Sequence, residues 1–411
     1  MTELPTCRFC ATPLTETFVD LGAMPLANSF ITANEIAGER RYPLHVRVCP
    51  SCLLVQADHS VPPDAIFSAD YAYFSSYADT WVEHARQYAD AIIERYTLGP
   101  GSLVVEIASN DGYLLQHFKN RGVPVLGVEP AANVADAARA KGIPTEVTFF
   151  GRASAARLAA AGHRADLMAA NNVLAHVPDI RDFVGGFALL LKPEGVVTFE
   201  FPHLFNLIRQ TQFDTIYHEH YSYLSLFTVE HILEAAGLKA IDVEELPTHG
   251  GSLRLYAAKR TSTHAESARL DEVRNKEREA HLDRPEGYRG FSDRVQAARA
   301  SFLSFLANAR RQGKRVAAYG AAAKGNTFLN YCGVTASDVA CVFDRSVAKQ
   351  GKLSPGSHIP VLAPQKLADV KPDFLIILPW NLADEVQRTN AALRTWGGRF
   401  VIGIPQTRVL P

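Results

Sequence analysis

Four cysteines near the start of the chain have the spacing of metal ligands. They form two C-x-x-C pairs, Cys7/Cys10 and Cys49/Cys52. Two such pairs supply the four thiolates that a tetrahedral zinc ion needs, and a site filled in this way leaves no position for water or substrate. Two disulfides, or a redox-active pair, are the alternative interpretations of the same residues. We predict a structural Zn²⁺ ion bound by these four cysteines.

The segment from Asp214 to Tyr223 concentrates groups that could do acid–base chemistry. It contains two histidines, three tyrosines and Glu219. The histidines lack the H-E-x-x-H spacing of a metalloprotease helix, which argues against catalytic zinc here. In a turn of helix Tyr217 and His220 come together, and an imidazole is the natural base for removing a proton near neutral pH. The alternative is a set of packed polar residues in an aromatic belt.

A short strand followed by a loop of small residues predicts a cofactor site. The run from Val104 to Gly112 ends a strand, turns and opens a helix, and Glu129 ends the next strand. An acid about 20 positions after such a loop suits a ribose diol. The loop lacks the G-x-G-x-x-G pattern that lets a pyrophosphate approach. It resembles motif I of the S-adenosylmethionine-dependent methyltransferases, with Ala108 in place of a usual glycine, and a generic α/β loop is the alternative.

A second loop between a strand and a helix, from Gly320 to Asn326, suits a diphosphate. Free backbone N–H groups at a helix start and the charge of Lys324 both attract anions. The loop is not a Walker A motif, because asparagine rather than Lys-Ser/Thr follows Gly325. A simple strand-to-helix turn is the alternative.

These residues need a framework of alternating strands and helices. An amphipathic helix is predicted over Trp81–Tyr96. Short apolar runs then predict four parallel strands and an antiparallel pair, at Leu103–Ile107, Val125–Val128, Leu167–Ala170, Val196–Phe201, Ala240–Leu246 and Leu253–Ala258. After a helical stretch rich in Arg, Glu and Ala, the βαβ pattern resumes with strands at Arg315–Tyr319, Val339–Phe343, Phe374–Leu378 and Arg399–Ile404.

Composition limits the partners of the chain. Its 411 residues are enough for two or three domains. The balance of 42 basic and 43 acidic residues argues against nucleic-acid or membrane surfaces built on bulk charge. No leader or membrane-spanning run is visible, so we expect a cytoplasmic protein. We expect it to be a monomer, with an oligomer as the alternative. Cys332 and Cys341 are predicted to be buried thiols without a role.

Six motifs occur in the order found in the nucleotide-sugar C-methyltransferases, which methylate C-3' in branched deoxysugars. They are the cysteine pairs and residues 106–112, 170–176, 217–220, 249–254 and 320–326. The chain resembles that family over essentially its whole length. The resemblance implies an α/β fold with a zinc-binding domain (1–65) and a class I methyltransferase domain with a Rossmann-like sheet (66–261). The resemblance further implies a helical connection (262–312). It also implies a C-terminal Rossmann-like domain (313–411) that helps to hold the nucleotide sugar.

The resemblance also implies roles for individual residues. His220 matches the general base, and other catalytic positions are matched by Tyr217, Glu219, His176 and Tyr71. S-adenosylmethionine is predicted to contact residues of the first loop and the neighbouring strand ends, namely Glu106, Ala108, Asn110, Asp111, Gly112, Glu129 and Asn171. The nucleotide sugar is predicted to contact Lys324, Asn326, Arg254 and His203.

The chemistry of carbon methylation narrows the substrate. A sugar carbon becomes a nucleophile only when an adjacent keto group makes its proton removable. Together with the resemblance, which implies a nucleotide sugar methylated at C-3', this predicts a 4-keto deoxysugar nucleotide, dTDP-linked, that reacts through an enolate. Two other classes stay open. One is an NAD-dependent nucleotide-sugar oxidoreductase or epimerase, and the other is a non-catalytic zinc-containing scaffold with a degenerate methyltransferase domain.

Overall fold

The structure is a computed structural model that describes residues 4–58, 61, 74–77 and 79–411. An N-terminal unit contains a four-stranded antiparallel sheet in the order β1-β2-β3-β9. Three of these strands are β1 (Glu16–Met24), β2 (Tyr42–Val48) and β3 (Val55–Ala57). The fourth, β9 (Ser222–Tyr223), comes from far along the chain. The N-terminal sheet is therefore completed by the segment that directly follows His220.

The central unit is a seven-stranded sheet in the order β10-β11-β8-β7-β4-β5-β6. Its strands are β4 (Val104–Ile107), β5 (Val125–Val128), β6 (Thr145–Glu146), β7 (Ala165–Asn171), β8 (Leu191–Pro202), β10 (Leu238–Leu246) and β11 (Ser252–Lys259). All neighbours are parallel except β11, which is antiparallel to both β8 and β10. The four parallel strands and the antiparallel pair that we predicted are confirmed, and β6 was missed.

Helices lie between and beside the strands of the central unit. They are α1 (Asp79–Tyr96), α2 (Leu115–Asn120), α3 (Ala132–Ala140), α4 (Arg152–Ala160), α5 (Ile180–Leu190), α6 (Leu204–Arg209) and α7 (Leu226–Ala235). Apolar residues alternate along each strand, so that Val104 packs with α1, α2 and α3 on one face and Val105 packs with α4, α5 and α7 on the other. The result is a three-layer α/β/α unit.

The strand order creates a crevice at one edge of the central sheet. From β4 the chain moves outward to β5 and β6, and it then crosses back to place β7 on the other side of β4. Ligands of parallel α/β sheets bind at the carboxyl ends of the strands where the order reverses in this way. Glu106, near the end of β4, and Asn171, at the end of β7, flank this point.

The C-terminal unit repeats the same principle with a six-stranded sheet in the order β14-β13-β12-β15-β16-β17. Its strands are β12 (Val316–Tyr319), β13 (Val342–Phe343), β14 (Val361–Leu362), β15 (Phe374–Ile377), β16 (Arg399–Ile402) and β17 (Arg408–Val409). Only β17 is antiparallel. The order reverses between β12 and β15, where Lys324 and Trp380 follow the two strand ends.

Further helices connect and cover these units. They are α8 (Ala268–Glu279), α9 (Phe291–Arg311), α10 (Ala323–Cys332), α11 (Leu367–Val370) and α12 (Ala383–Thr389). One apolar core joins the N-terminal sheet, α9 and the C-terminal sheet, and within it the rings of Phe18 and Phe291 stack with centroids 4.3 Å apart. The predicted α/β architecture is confirmed. No helix in the described ranges is long and apolar enough to cross a membrane.

Candidate active site and metal centre

The four predicted metal ligands converge. Their Sγ atoms all lie within 4.8 Å of one another, with Cys7 3.6 Å from Cys52 and Cys10 3.4 Å from Cys49. Tetrahedral zinc with Zn–S bonds of about 2.3 Å requires Sγ atoms about 3.8 Å apart, so the donor set fits the ion. These separations are far too long for disulfide bonds, and the cysteines are free thiols. The disulfide alternative is wrong for these residues.

The loop after β4 has an unusual backbone. Ala108, Asn110 and Gly112 all adopt positive φ angles, of 55°, 49° and 77°. A Cβ atom at Gly112 would lie only 2.3 Å from Cδ1 of Ile143, so glycine is needed there. The left-handed conformation at Ala108 explains why a glycine is common at this position, because it costs an alanine about 1–2 kcal/mol. Ala108 is strained but compatible with the loop.

Two buried carboxylates stand at the ends of β4 and β5. The oxygens of Glu129 accept hydrogen bonds from the backbone N–H groups of Asn110 and Ala131, each at 2.9 Å. Burial raises the pKa of Glu129, and these two bonds oppose the shift. Burial also raises the pKa of Glu106 well above its ordinary value, and the nearby charges of Glu129 and Asp111 add to this, whereas the Tyr113 side chain opposes it. A bound cation would restore the charge of Glu106.

Several polar atoms around these carboxylates are buried and unused. Within the described part of the chain, no hydrogen bond is made by the Ser109 hydroxyl, by Oδ1 of Asp111, or by the side-chain oxygens of Asn171 and Asn172. Buried acceptors are normally paired, so their concentration at the β4/β7 crevice indicates a ligand rich in donors. The ammonium group and the ribose hydroxyls of S-adenosylmethionine are such donors, and the residues present fit this cofactor.

His220 sits in a tight turn after a short 3-10 helix (Phe213–Thr215). Its backbone N–H donates to the Tyr217 carbonyl at 2.9 Å, and the rings of Tyr217 and His220 lie 4.0 Å apart. Nδ1 of His220 lies 2.7 Å from the Thr215 carbonyl oxygen. Because a carbonyl can only accept, Nδ1 carries the proton and Nε2 keeps a lone pair. Burial, and then the neighbouring His176, lower the pKa of His220 well below 6.5, so the ring is neutral at pH 7.

His176 is held in a similar way to His220. Its Nδ1 donates to the Glu219 carbonyl oxygen at 2.8 Å, and its ring lies 4.6 Å from that of His220. Burial lowers the pKa of His176 to about 4. The Glu219 side chain accepts a bond of 2.6 Å from Asn28 of the N-terminal unit. The turn therefore holds two neutral imidazoles side by side.

The C-terminal unit contributes a cation to the same region. Lys324 lies 5.0 Å over the Trp380 ring and donates to Asn381 at 2.9 Å. The Trp380 indole N–H donates to the Asp214 carboxylate at 2.8 Å, which joins this unit to the start of the His220 turn. Burial raises the pKa of Asp214 to about 6 and lowers the pKa of Lys324, while each charge favours the other.

A loop of the central unit faces this contact. His249 has φ 55° and lies 3.3 Å from Asn172, and the nearby Lys324 charge adds to the burial that lowers the pKa of His249 to about 4. The His249 side chain is itself exposed to solvent. The next residue, Gly250, has no room for a Cβ atom, which would lie 2.5 Å from Trp380.

Three further residues predicted to bind the nucleotide sugar have hydrogen-bond partners within the protein. Arg254 is buried, stacks on the Tyr88 ring and bonds to Glu200 at 2.8 Å. The His203 ring is bonded to a carboxylate of α8, and the Asn326 amide donates to a backbone carbonyl of the N-terminal unit. These three side chains make internal contacts in this structure, so their role toward the nucleotide sugar stays a prediction. Tyr71 lies outside the described residues.

Three site residues were not predicted. Trp81 in α1 lies over Tyr113 of the cofactor loop at 6.0 Å and next to His249 at 5.7 Å, so it bridges the crevice and the cleft. Trp380, from the C-terminal unit, lies next to Gly250, the residue that follows His249. His249 belongs to one of the six motifs, residues 249–254, and that motif could have identified it as a site residue. Nothing near Trp81 or Trp380 in the sequence marks either residue as part of a site.

Three family models match successive parts of the chain. They are "Putative zinc binding domain" over residues 7–67, "Methyltransferase domain" over 81–243 and "C-methyltransferase C-terminal domain" over 247–405. The chain is 36% identical over 405 residues to the C-methyltransferase NovU of Streptomyces niveus. The aligned residues cover 98% of this chain and 96% of that protein.

More distant relatives cover part of the chain. A stretch of 157 residues is 24% identical to the ubiquinone biosynthesis O-methyltransferase of Rhodopseudomonas palustris, covering 33% of this chain and 62% of that protein. A solved structure of the 1,6-didemethyltoxoflavin-N1-methyltransferase of Burkholderia thailandensis is similar with a TM-score of 0.36 and 19% identity, over 50% of this chain and 95% of that one. Similarity at that TM-score supports no inference about ligands or reaction.

Proposed function

This chain belongs to the C-methyltransferase family and is an S-adenosylmethionine-dependent enzyme, and from that premise we propose that it methylates C-3' of a nucleotide-linked 4-keto deoxysugar. The nucleotide in this proposal is dTDP. Family membership removes the NAD-dependent oxidoreductase and the non-catalytic scaffold as alternatives. The substrate and the position of the new methyl group are the parts that need support from the site.

The reaction class requires a base. A carbon next to a ketone has a weakly acidic proton, and its removal gives an enolate that is nucleophilic at carbon. S-adenosylmethionine, when bound, supplies an electrophilic methyl group. The protein must therefore remove one proton, hold the negative charge on the keto oxygen, and keep water out while the carbanion exists.

His220 is the residue we assign as base, and its hydrogen bond to Thr215 is the observation that carries the proposal. The bond fixes the tautomer with a lone pair on Nε2, and burial keeps the ring neutral at pH 7. The same burial makes the imidazole a weak base in the free protein. The negative charge that forms on the substrate offsets this cost, because it stabilises the imidazolium beside it.

The donor to the enolate oxygen is Tyr217 rather than His176. With Nδ1 of His176 donating to the Glu219 carbonyl and its pKa at about 4, Nε2 of that ring has no proton to give at pH 7. Its tautomer therefore does not favour His176 as the donor. The Tyr217 hydroxyl is a donor at this pH and its ring lies 4.0 Å from that of His220.

The contact between the two Rossmann-like units supports a nucleotide sugar rather than a small neutral ketone. Lys324 follows the end of β12, next to the place where the C-terminal strand order reverses, and it is largely surrounded by protein. A buried ammonium needs an anionic partner, and Asp214 supplies only part of this. A diphosphate at Lys324 would complete the charge balance, while the Trp380 ring offers a flat apolar surface.

Mass spectrometry tests the substrate. The protein should be incubated with S-adenosylmethionine and a panel of 4-keto sugar nucleotides. The expected product gains the mass of one CH2 group, with the new methyl group at C-3'. Methylation of an unrelated acceptor, or of a hydroxyl group of the sugar, would reject the proposal.

Proton exchange tests the base separately. In heavy water that contains S-adenosylhomocysteine and the 4-keto sugar nucleotide, the wild type should exchange the C-3' proton of the sugar for deuterium. His220→Asn keeps a donor for the Thr215 carbonyl but loses Nε2, so exchange should fall by roughly 100- to 10,000-fold. His218→Gln is the matched control, because Nε2 of His218 lies 3.1 Å from the Tyr42 carbonyl and a glutamine amide can replace that bond. Exchange by His220→Asn at the wild-type rate would show that another residue is the base.

A further inference from the structure

The segment that carries His220 is built into the zinc-binding unit. Directly after His220, β9 pairs with β3, with Tyr223 opposite Val55 and Ser222 opposite Gln56. The backbone N–H of Ala57 donates to the Tyr221 carbonyl at 3.1 Å. The strand that follows the second cysteine pair thus fixes the chain that leaves the catalytic turn.

One side chain from the first cysteine pair reaches the same place. Arg8 lies between Cys7 and Cys10, and its guanidinium donates to the Ala57 carbonyl at 2.6 Å and to the Pro178 carbonyl at 3.3 Å. It also lies 5.3 Å over the ring of Tyr221. Pro178 is two residues after His176 and Tyr221 is one residue after His220. A single guanidinium therefore contacts both histidine-bearing segments.

The metal site connects to this contact through Gln56. Its amide donates to Sγ of Cys7 at 3.1 Å and its oxygen accepts from the backbone N–H of Arg8 at 2.9 Å. Gln56 is buried, so both bonds are shielded from water. The position of Arg8 is thus set by the geometry around one of the four thiolates.

We propose that Arg8 is a positioning residue that couples zinc binding to the His176–His220 pair. Zinc fixes the first cysteine pair, the pair fixes Arg8, and Arg8 holds the two histidine segments at their working separation. The catalytic part of this inference rests on the proposed role of His220. In small zinc modules the metal-binding energy is folding energy, so loss of the ion should release this contact first.

The cofactor loop should not respond in the same way. Residues 104–112 pack on β5, β7, α2 and α3, and the bonds that the structure gives to Ser109, Gly112 and Glu129 stay within the central unit. One face of that unit has an apolar core of its own around Val104 and Phe118, whereas the core on the other face, around Val105 and Ile107, also includes Cys7 and Cys49. Because the polar contacts of the cofactor loop do not involve the zinc-binding unit, its release is expected to loosen the histidine turn and to leave cofactor binding intact.

Hydrogen–deuterium exchange of the full chain separates these two regions. In zinc-depleted wild type and in zinc-loaded Arg8→Ala, amides of residues 215–224 should exchange about tenfold faster, the effect of losing one charge-assisted hydrogen bond. Residues 104–112 and the affinity for S-adenosylhomocysteine should not change. Arg8→Lys should recover part of the protection, because one ammonium can reach one of the two carbonyls. Arg181→Ala is the matched control, since Arg181 lines the same surface groove as Arg8.

Kinetics give the second readout. For Arg8→Ala we expect kcat to fall by up to about 100-fold, the effect of a small misplacement of a catalytic group, with an unchanged KM for S-adenosylmethionine. Unchanged exchange of residues 215–224, or an equal increase in both segments, would overturn the coupling. An unchanged kcat would overturn it as well. Absence of sugar methylation together with the expected exchange pattern would count against the proposed substrate and still support the role of Arg8.

Discussion

Replacement of Glu129 by glutamine gives a sharp test of the cofactor site. The carboxylate accepts one backbone N–H on each oxygen, from Asn110 and Ala131, and it has room for about two further hydrogen bonds. In the predicted complex those two are the ribose hydroxyls. An amide keeps the oxygen on one side but turns an NH2 group toward a backbone N–H on the other, so Glu129→Gln loses one acceptor in a buried position.

The expected effect follows from the energy of a charge-assisted hydrogen bond, about 1.5–3 kcal/mol. The loss of one such bond to the ribose should weaken S-adenosylhomocysteine binding by roughly 10- to 150-fold. Because a bond to the loop is lost as well, the free energy of unfolding should fall by about the same 1.5–3 kcal/mol. Removal of the whole side chain in Glu129→Ala should destabilise the loop more, which makes glutamine the better test.

Calorimetry with S-adenosylhomocysteine measures the affinity, and urea unfolding of the free protein measures the stability. Glu146→Gln is the matched control, because Glu146 ends the neighbouring strand β6 and its contact is a surface pair with Arg157 at 3.1 Å. An exposed pair of this kind contributes about 0–1 kcal/mol, so neither quantity should change much. An affinity of Glu129→Gln equal to that of the wild type, with reduced stability, would show that the ribose lies elsewhere.

Two further substitutions test the strained loop and the neutral histidine pair. Ala108→Gly should raise the free energy of unfolding by about 0.5–1 kcal/mol, since relief of a left-handed alanine outweighs the added chain entropy of glycine; lower stability in urea would contradict the strain. For His176 the pKa is about 4 in the fold against 6.5 when unfolded, so the unfolded chain binds a proton first and stability drops as the pH falls from about 6.5 to about 4. Between pH 7 and pH 5 this amounts to about 2 kcal/mol. In His176→Asn, which keeps a donor for the Glu219 carbonyl, that part of the pH dependence should disappear from urea unfolding curves, and an unchanged slope would contradict the low pKa.

The sequence predicted the framework well because its strands are buried on both faces. A continuous apolar run such as Val104–Ile107 is visible without knowledge of its neighbours, and each predicted strand of the two parallel sheets is found. The strands β1, β2 and β3 of the N-terminal sheet were not predicted, and the missed strands of the two parallel sheets, β6, β14 and β17, have two residues each. Two residues cannot show a period, so only the pairing partner defines them. The domain boundaries that we gave stay predictions.

The sequence indicated candidate site residues where one short segment carries several of them. The loop after β4 and the turn at His220 each concentrate several groups within about ten residues, a spacing that chain geometry keeps together. Each cysteine pair is equally local, but the two pairs are 39 residues apart, so the C-x-x-C spacing rather than proximity along the chain indicated the metal site. The contact of Trp380 with Asp214 depends instead on how two units dock, and no local pattern encodes it. The internal bonds of Arg254 and His203 were missed for the same reason, since their partners lie on other strands and helices.

On the proposed function, the position of His220 explains why the three parts of the chain belong to one enzyme. The proposed base would have to meet a methyl donor at the β4/β7 crevice and a sugar whose nucleotide lies near Lys324, and these two places lie in different sheets. The turn that carries it is joined to the C-terminal unit through Asp214 and Trp380, and to the zinc-binding unit through β9. The central unit also holds the end of this turn, through the bond of 2.8 Å from the Tyr221 N–H to the Ala175 carbonyl. The zinc-binding unit is thus a third support, and that is a physical reason for a structural metal far from any bond that the proposed reaction changes.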